Sequence, residues 1–177
     1  MADPRIVNLD DLPWFPYAFA GAPGSPPVGG PPIGGPPIGG DVRDPGRALG
    51  TCGIGLRIQR IPAGARASRR HRHLFQEELL IVMAGSGVLL HDDARVAVKQ
   101  GDCIAYRAGD PAAHSFENTG TEPLVVWAFG DRRDHEVCLY PDEGVAFVEG
   151  LGGEVPIDAV AHEHPLLDRK SWGADEA

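Results

Sequence analysis

The feature that most limits the fold of this chain is its punctuation. From residue 51 to residue 140 the apolar residues come in eight short stretches, CGIGLRIQRI, EELLIVMA, GVLLH, RVAVK, DCIAY, HSFEN, PLVVWAF and EVCLY, broken every 8 to 12 positions by turn residues. The breaks, among them Gly85-Ser86-Gly87, Asp92-Asp93, Gln100-Gly101-Asp102, Gly109-Asp110-Pro111 and Asn118-Thr119-Gly120, use residue types that close tight turns. In the first stretch Ile54, Leu56 and Ile58 alternate with Gly55, Arg57 and Gln59, the period of a half-buried strand. About eight short strands in ninety residues predict an all-β chain, an antiparallel sandwich or small barrel. A helical bundle is disfavoured by the same punctuation: 24 Gly and 17 Pro among 177 residues cost about 1 and about 3 kcal/mol each in a helix interior.

The flanks differ from this middle section and suggest four parts: an aromatic segment over 1–20, a Gly/Pro-rich linker over 21–50, a barrel over 51–145 and an acidic extension over 146–177. Trp14, Phe15, Tyr17 and Phe19 are too aromatic for a solvated tail and are expected to pack on the barrel or on a partner subunit. Fifteen of the twenty residues from 21 to 40 are Gly or Pro, with PPVGG, PPIGG and PPIGG in succession over 26–40. Such units mix polyproline II with free glycine and cannot build a core, so they read as a linker or mobile arm. The tail from Pro141 is acidic and weakly patterned, with Trp172 near its end; an irregular wrap or an exchanged arm is expected.

Charge and cysteine usage narrow the function classes. Sixteen Lys and Arg stand against 25 Asp and Glu, a formal net charge of −9, which argues against a general nucleic-acid binder. The longest apolar runs, over 79–84 and 124–129, are too short to span a membrane, and no basic-then-apolar leader opens the chain. Cys52, Cys103 and Cys138 are odd in number and lack close spacing. They read as small buried apolar residues in a reducing compartment, so the cytoplasm is the expected location.

The chemistry concentrates in residues 64–85, GARASRRHRHLFQEELLIVMAG. On a strand, His71 and His73 point to one side. Glu78 follows at the head of an apolar strand, where a carboxylate needs a reason to stand. Two neutral imidazoles and a carboxylate suit Fe(II), Mn(II), Ni(II) or Zn(II) and leave coordination positions open. A second segment, GDCIAYRAGDPAAHSFEN over 101–118, offers His114 on another strand as a fourth ligand.

These residues resemble the cupin superfamily. Gly64, six residues, His71-Arg72-His73, four residues, Glu78, six residues and Gly85 fit the first cupin motif; Gly101, Gly109, His114 and Asn118 match the second. Arg107 stands where proline is usual, and four residues instead of two separate Gly109 from His114. The longer turn and the downstream Tyr140-Pro141-Asp142 are similar to bacterial single-domain cupins, most without assigned function. The resemblance covers about residues 51–145. It implies a double-stranded β-helix, or jelly-roll, barrel holding one divalent transition metal ion through His71, His73, Glu78 and His114. Glu77 competes as the carboxylate; Glu78 is preferred because six residues then separate it from Gly85.

Other residues leave alternatives open. Arg66, Arg69, Arg70 and Arg72 surround the histidines; strand parity puts Arg69 on their side, where it would orient an anionic substrate, whereas the plainer reading pairs these arginines with the acidic tail. Tyr106 and Gln76 read as packing and turn residues that could also serve near the metal. His91 and His135 read as solvated; His162-Glu163-His164 resembles a second ligand pair, but Pro165 follows it in a tail with no strand signal, which disfavours a second metal site. The first functional reading is a mononuclear metalloenzyme acting on a small, anionic or oxygenated organic molecule, with dioxygenase, isomerase, lyase and decarboxylase chemistry all open. The alternative is a non-catalytic small-molecule binding or sensing module. A homodimer formed through sheet edges is expected.

Overall fold

The structure, a computed structural model, describes residues 6–18 and 35–157. The first Gly/Pro unit, the second up to residue 34, Phe19, the pair His162 and His164, Trp172 and most of the acidic extension lie outside the described residues. Thirteen strands and one α-helix follow in order: β1 (Phe15–Ala18), β2 (Gly39–Arg43), α1 (Pro45–Leu49), β3 (Ile54–Ile61), β4 (Arg72–His73), β5 (Glu78–Ala84), β6 (Ser86–His91), β7 (Ala94–Lys99), β8 (Cys103–Tyr106), β9 (His114–Glu117), β10 (Leu124–Asp131), β11 (Val137–Tyr140), β12 (Val145–Val148) and β13 (Gly153–Pro156). All eight stretches read from the sequence are strands.

The strands form a jelly-roll cupin barrel. One wall is a six-stranded sheet in the order β1-β2-β3-β10-β5-β8. A four-stranded sheet, β13-β12-β11-β4, and a three-stranded sheet, β7-β6-β9, make the rest. An isolated antiparallel bridge joins these two smaller sheets at His71 and His114, with His71 N–H donating to His114 O at 3.0 Å and His114 N–H donating to His71 O at 2.8 Å. Pairing is antiparallel throughout the named strands.

Register fixes what points inward. Rows across the large sheet run Ile61 to Leu124, Gln59 to Val126 to Val82, Arg57 to Ala128 to Leu80, and Gly55 to Gly130 to Glu78. The deep end of this inner face is apolar: Ile61, Val82, Leu124 and Val126 are fully buried and pack with Leu80, Tyr106 and Phe116. Burying a side chain of this kind contributes about 1.5–3 kcal/mol. The other end, where the rows carry Arg57, Gly55, Gly130 and Glu78, is polar and open. The tight return from β5 to β6 needs Gly85, whose φ of +77° is left-handed and whose added Cβ would stand 2.5 Å from Pro123 O. Asn118, fully buried, ties the approach to β10: its amide donates to Ile61 O at 2.8 Å and Glu122 O at 2.9 Å.

Four features differ from the sequence reading. Within residues read as linker, the third Gly/Pro unit runs into β2 and is followed by α1, capped by the Asp44 side chain, which accepts from Arg47 N–H at 2.7 Å. The acidic stretch after Pro141 is not an irregular wrap through residue 156; it forms the hairpin of β12 and β13. Among the cysteines only Cys138 is buried, while Cys52 and Cys103 are exposed, because Cys103 sits opposite Ile81 on the outer face of the large sheet. His91 is half-buried, its Nδ1 3.0 Å from Tyr106 Oη, rather than solvated.

Candidate metal centre

At the polar end of the barrel lies a cavity of about 540 Å³, and His71, His73, Glu78 and His114 all line it. β4 and the residue before it carry His71 and His73 on one side, as alternation requires. β9 delivers His114 beside His71, and β5 begins with Glu78 on the facing sheet. The imidazole centroids of His71 lie 5.1 Å from His73 and 4.8 Å from His114. His114 Nε2 stands 2.8 Å from Glu78 Oε2, so the imidazole N–H donates to the carboxylate. Gly55 and Gly130 share the row of Glu78; a Cβ at 55 would stand 3.1 Å from Arg132 Nε and one at 130 would stand 3.3 Å from Glu77 O.

The groups behind the histidines fix their orientation. His71 Nδ1 lies 2.9 Å from Arg69 O, and a proton donated there leaves Nε2 with its lone pair. Glu136, only 4% exposed, holds His73 Nδ1 at 3.3 Å and accepts the backbone N–H of Leu74 at 3.0 Å and of Phe75 at 3.2 Å. Tyr106 stacks on His114, with ring centroids 3.8 Å apart and planes 8° from parallel. Burial, with the neighbouring imidazoles His114 and His73 adding to it, pushes His71 down to about 3. Burial opposes ionisation of Glu78, but the hydrogen bond from His114 and the surrounding imidazoles outweigh it and bring the carboxyl down to about 2. Burial also pulls His73 down, yet the hydrogen bond and charge of Glu136 and the charge of Glu78 raise it.

This donor set fits a divalent transition metal. The ligand atoms of His71, Glu78 and His114 lie within 4.8 Å of one another, as do those of His71, His73 and Cys138. Ligands about 2.1 Å from an ion stand at most about 4.2 Å apart, close to the spacing within each group; His71 belongs to both, while the rings of His73 and His114 are 6.4 Å apart. A neutral imidazole at His71 and an ionised Glu78 are the protonation states that an ion requires of its ligands, and among the described residues His114 keeps a buried Nδ1 with no hydrogen-bond partner. The carboxylate behind His73 is the outer partner that metal-binding imidazoles usually have.

The other candidates are placed as follows. Glu77 is exposed and does not line the cavity; its N–H donates to Asp131 Oδ1 at 2.8 Å. Arg69 lines the cavity but is held by Glu154 and lies over the Tyr140 ring, 3.6 Å from its centroid. Arg70 pairs with Asp142, so for these two the pairing with the acidic side of the chain is what the structure shows. Gln76 lines the cavity, whereas Tyr106 packs behind His114. Glu136 and Cys138 were not singled out as site residues from sequence. Glu136 closes the charged run DRRDHE and resembles a solvated residue; its one signal is that it stands immediately before the apolar stretch VCLY.

Comparisons with known proteins follow the same geometry. Residues 57–129 match the family model of the cupin domain. An uncharacterized protein of Methanocaldococcus jannaschii is 30% identical over 81 residues, which cover 46% of this chain and 55% of that protein; the match thus spans about half the length of that relative. A solved structure from Silicibacter pomeroyi, described as a sugar phosphate isomerase from a cupin superfamily, is 26% identical, with a TM-score of 0.70 over 86% of this chain and 93% of that one. One from Acidithiobacillus ferrooxidans, named as a candidate sugar phosphate isomerase, is 28% identical, with a TM-score of 0.64 over 68% and 78%. The barrel thus has the cupin fold, and the segment over 57–129 within it matches the cupin domain family.

Proposed function

We propose that this chain is a cupin enzyme that holds one divalent transition metal ion through His71, His73, Glu78 and His114 and isomerises a phosphorylated sugar. The observation that carries the reading is the convergence of three imidazoles and one carboxylate on a cavity whose remaining wall offers hydroxyl, amide and guanidinium groups, from Tyr140, Gln76 and Arg57 among others. The names of two solved cupin structures more than 25% identical to it supply the substrate class. The chemistry such an ion supplies when bound is polarisation of a substrate carbonyl. The protein's part is positional. Glu136 and Arg69 O aim the two imidazoles of the His-x-His pair. Tyr140, raised by burial and by Cys138, keeps its phenolic proton at neutral pH and can offer a sugar oxygen a hydrogen bond in place of the one it makes to Cys138. Phe116 and Phe147 line the wall and exclude water from it.

The same reading takes the molecule as a homodimer in the cytoplasm that binds no nucleic acid. Three free thiols suit a reducing compartment, and the −9 charge does not suit a polyanion. Among the described residues no helix is long and apolar enough to cross a membrane. The outer face of the large sheet exposes Ile54 (62%), Leu79 (44%) and Met83 (38%), an apolar patch that a two-fold contact with a second copy would cover.

The test is turnover in D2O. Metal-loaded protein should convert an aldose phosphate to the ketose with exchange of the C2 hydrogen, and a chelator should stop it. Thermal stabilisation by the sugar phosphate without turnover, in metal-loaded protein, would instead establish the non-catalytic binding module.

A further inference from the structure

We propose that Arg57, Tyr17 and Gln59 form the anion-binding end of the cavity and take the phosphoryl group of the substrate; this rests on the reading of the cavity as a sugar-phosphate site. β3 carries Gly55, Arg57 and Gln59 on the side of the cavity, and all three line it, Arg57 at its solvent-exposed rim, in register with Gly130, Ala128 and Val126 of β10. Arg57 makes no ion pair or hydrogen bond with any described residue, whereas the other two arginines of the wall are engaged, Arg69 by Glu154 and Tyr140, and Arg132 by Asp44 at 3.2 Å.

The second observation is a hydroxyl. Tyr17 Oη is buried without a hydrogen-bond partner, a condition that buried polar groups rarely tolerate unless a water or ligand completes them. Tyr17 belongs to β1, which pairs with β2 at Gly40, while Val42 of β2 pairs with Gln59 of β3. Alternation therefore puts Tyr17, Val42, Gln59 and Arg57 on one face, and Tyr17 and Val42 line the same cavity. Arg57 acts electrostatically on the Tyr17 phenol. The strand carrying Tyr17 is pinned by Trp14, whose ring packs against the guanidinium groups of Arg43 at 4.2 Å and Arg60 at 4.3 Å. An N-terminal segment so held can complete a site rather than merely cover one.

Charge and distance agree with this assignment. Of the carboxylates on the wall, Asp44 is bound to Arg132 and Asp131 to Arg133. Glu149 follows β12 on the opposite sheet, so an anion is favoured on the Arg57 side. Two strand spacings and two residues along the strand separate Arg57 from Glu78, about 12 Å between Cα atoms. An extended molecule with a phosphoryl group at the rim beside Arg57 and a carbonyl near Glu78 spans that separation. The planar guanidinium fork meets phosphate oxygens two at a time, and the phenol adds a third donor.

The test uses full-length, metal-loaded protein and titrates inorganic phosphate, glucose 6-phosphate and glucose by calorimetry, with metal content measured on every sample. Arg57→Ala should weaken both phosphorylated ligands at least about tenfold, the loss of a charge-assisted contact. Arg57→Lys should fall between, and Tyr17→Phe should weaken them by several fold, with metal content unchanged throughout and glucose indifferent to all three changes. Circular dichroism and melting temperature establish that the variants fold, and Tyr17→Phe gives a second reading if Arg57→Ala does not. Phosphate binding that is unaffected by Arg57 and Tyr17, absent in the wild type, or lost only when His71 and His73 are changed would overturn the subsite. The metal reading fails separately: Arg57-dependent phosphate binding by a protein that takes up no metal would sustain the anion site and remove the metal.

Discussion

Glu136 shows how one buried charge can be justified by several partners. Its two oxygens cap two backbone N–H groups and hold the His73 ring, so its desolvation is offset locally and the imidazole cannot rotate away. Glu136→Gln should therefore lower metal affinity about 10- to 100-fold, as loss of an outer partner of a metal ligand does, with a much smaller change in stability; competition with a chromophoric chelator measures it. His71 makes a second prediction. In the unfolded chain it takes a proton at its ordinary value of 6.5, but in the fold only at about 3, so this group's contribution is complete above 6.5 and is lost as pH falls from 6.5 toward 3. Glu78, ordinarily at 4.5 and here at about 2, acts in the same direction below 4.5. His73, raised above 6.5, acts only at higher pH. The urea midpoint of metal-free protein should thus fall between pH 6.5 and 4.5, and His71→Ala should flatten that slope.

At the level of elements, what the sequence made legible was whatever depended on spacing. The His71 and His73 pair, Glu78 ahead of an apolar run and His114 after a turn are local patterns, and the strands carry all four to one cavity. β3 was legible as a strand but not as to which side it buries. Its alternation is regular, yet the side toward the cavity carries Arg57, exposed at the rim, and Gln59, while Ile58, on the other side of the sheet beside Trp127, is only 4% exposed. Alternation alone does not distinguish a hydrophobic core from a hydrophobic exterior that something else covers. The β12 and β13 hairpin was hidden because Val145–Val148 and Gly153–Pro156 are four-residue strands amid Gly, Pro and acids. Its attachment is electrostatic as well: Arg69 and Glu154 form a pair whose side chains are 10% and 11% exposed. Removing one partner of a buried pair leaves the other charge uncompensated. Glu154→Ala should cost about 3 kcal/mol in urea unfolding, and it should also loosen the Tyr140 ring beneath Arg69.

For the whole molecule, the two faces of the large sheet divide the work. The inner face carries core and cavity, and the outer face carries the exposed Leu79, Met83 and Ile54. If a second copy covers that outer face, Leu79→Lys should shift the sedimentation coefficient from dimer to monomer while leaving metal content intact; a wild-type monomer would remove the dimer from the account. The inner face holds the central claim, that His71, His73, Glu78 and His114 bind one metal ion. Elemental analysis after reconstitution with Mn(II), Fe(II), Ni(II) and Zn(II) in turn, followed by desalting, tests it most directly. The account predicts close to one ion per chain for at least one of these metals in the wild type and almost none in a folded His71→Ala/His73→Ala variant; equal metal in both, or no metal in the wild type with any of the four, would contradict it.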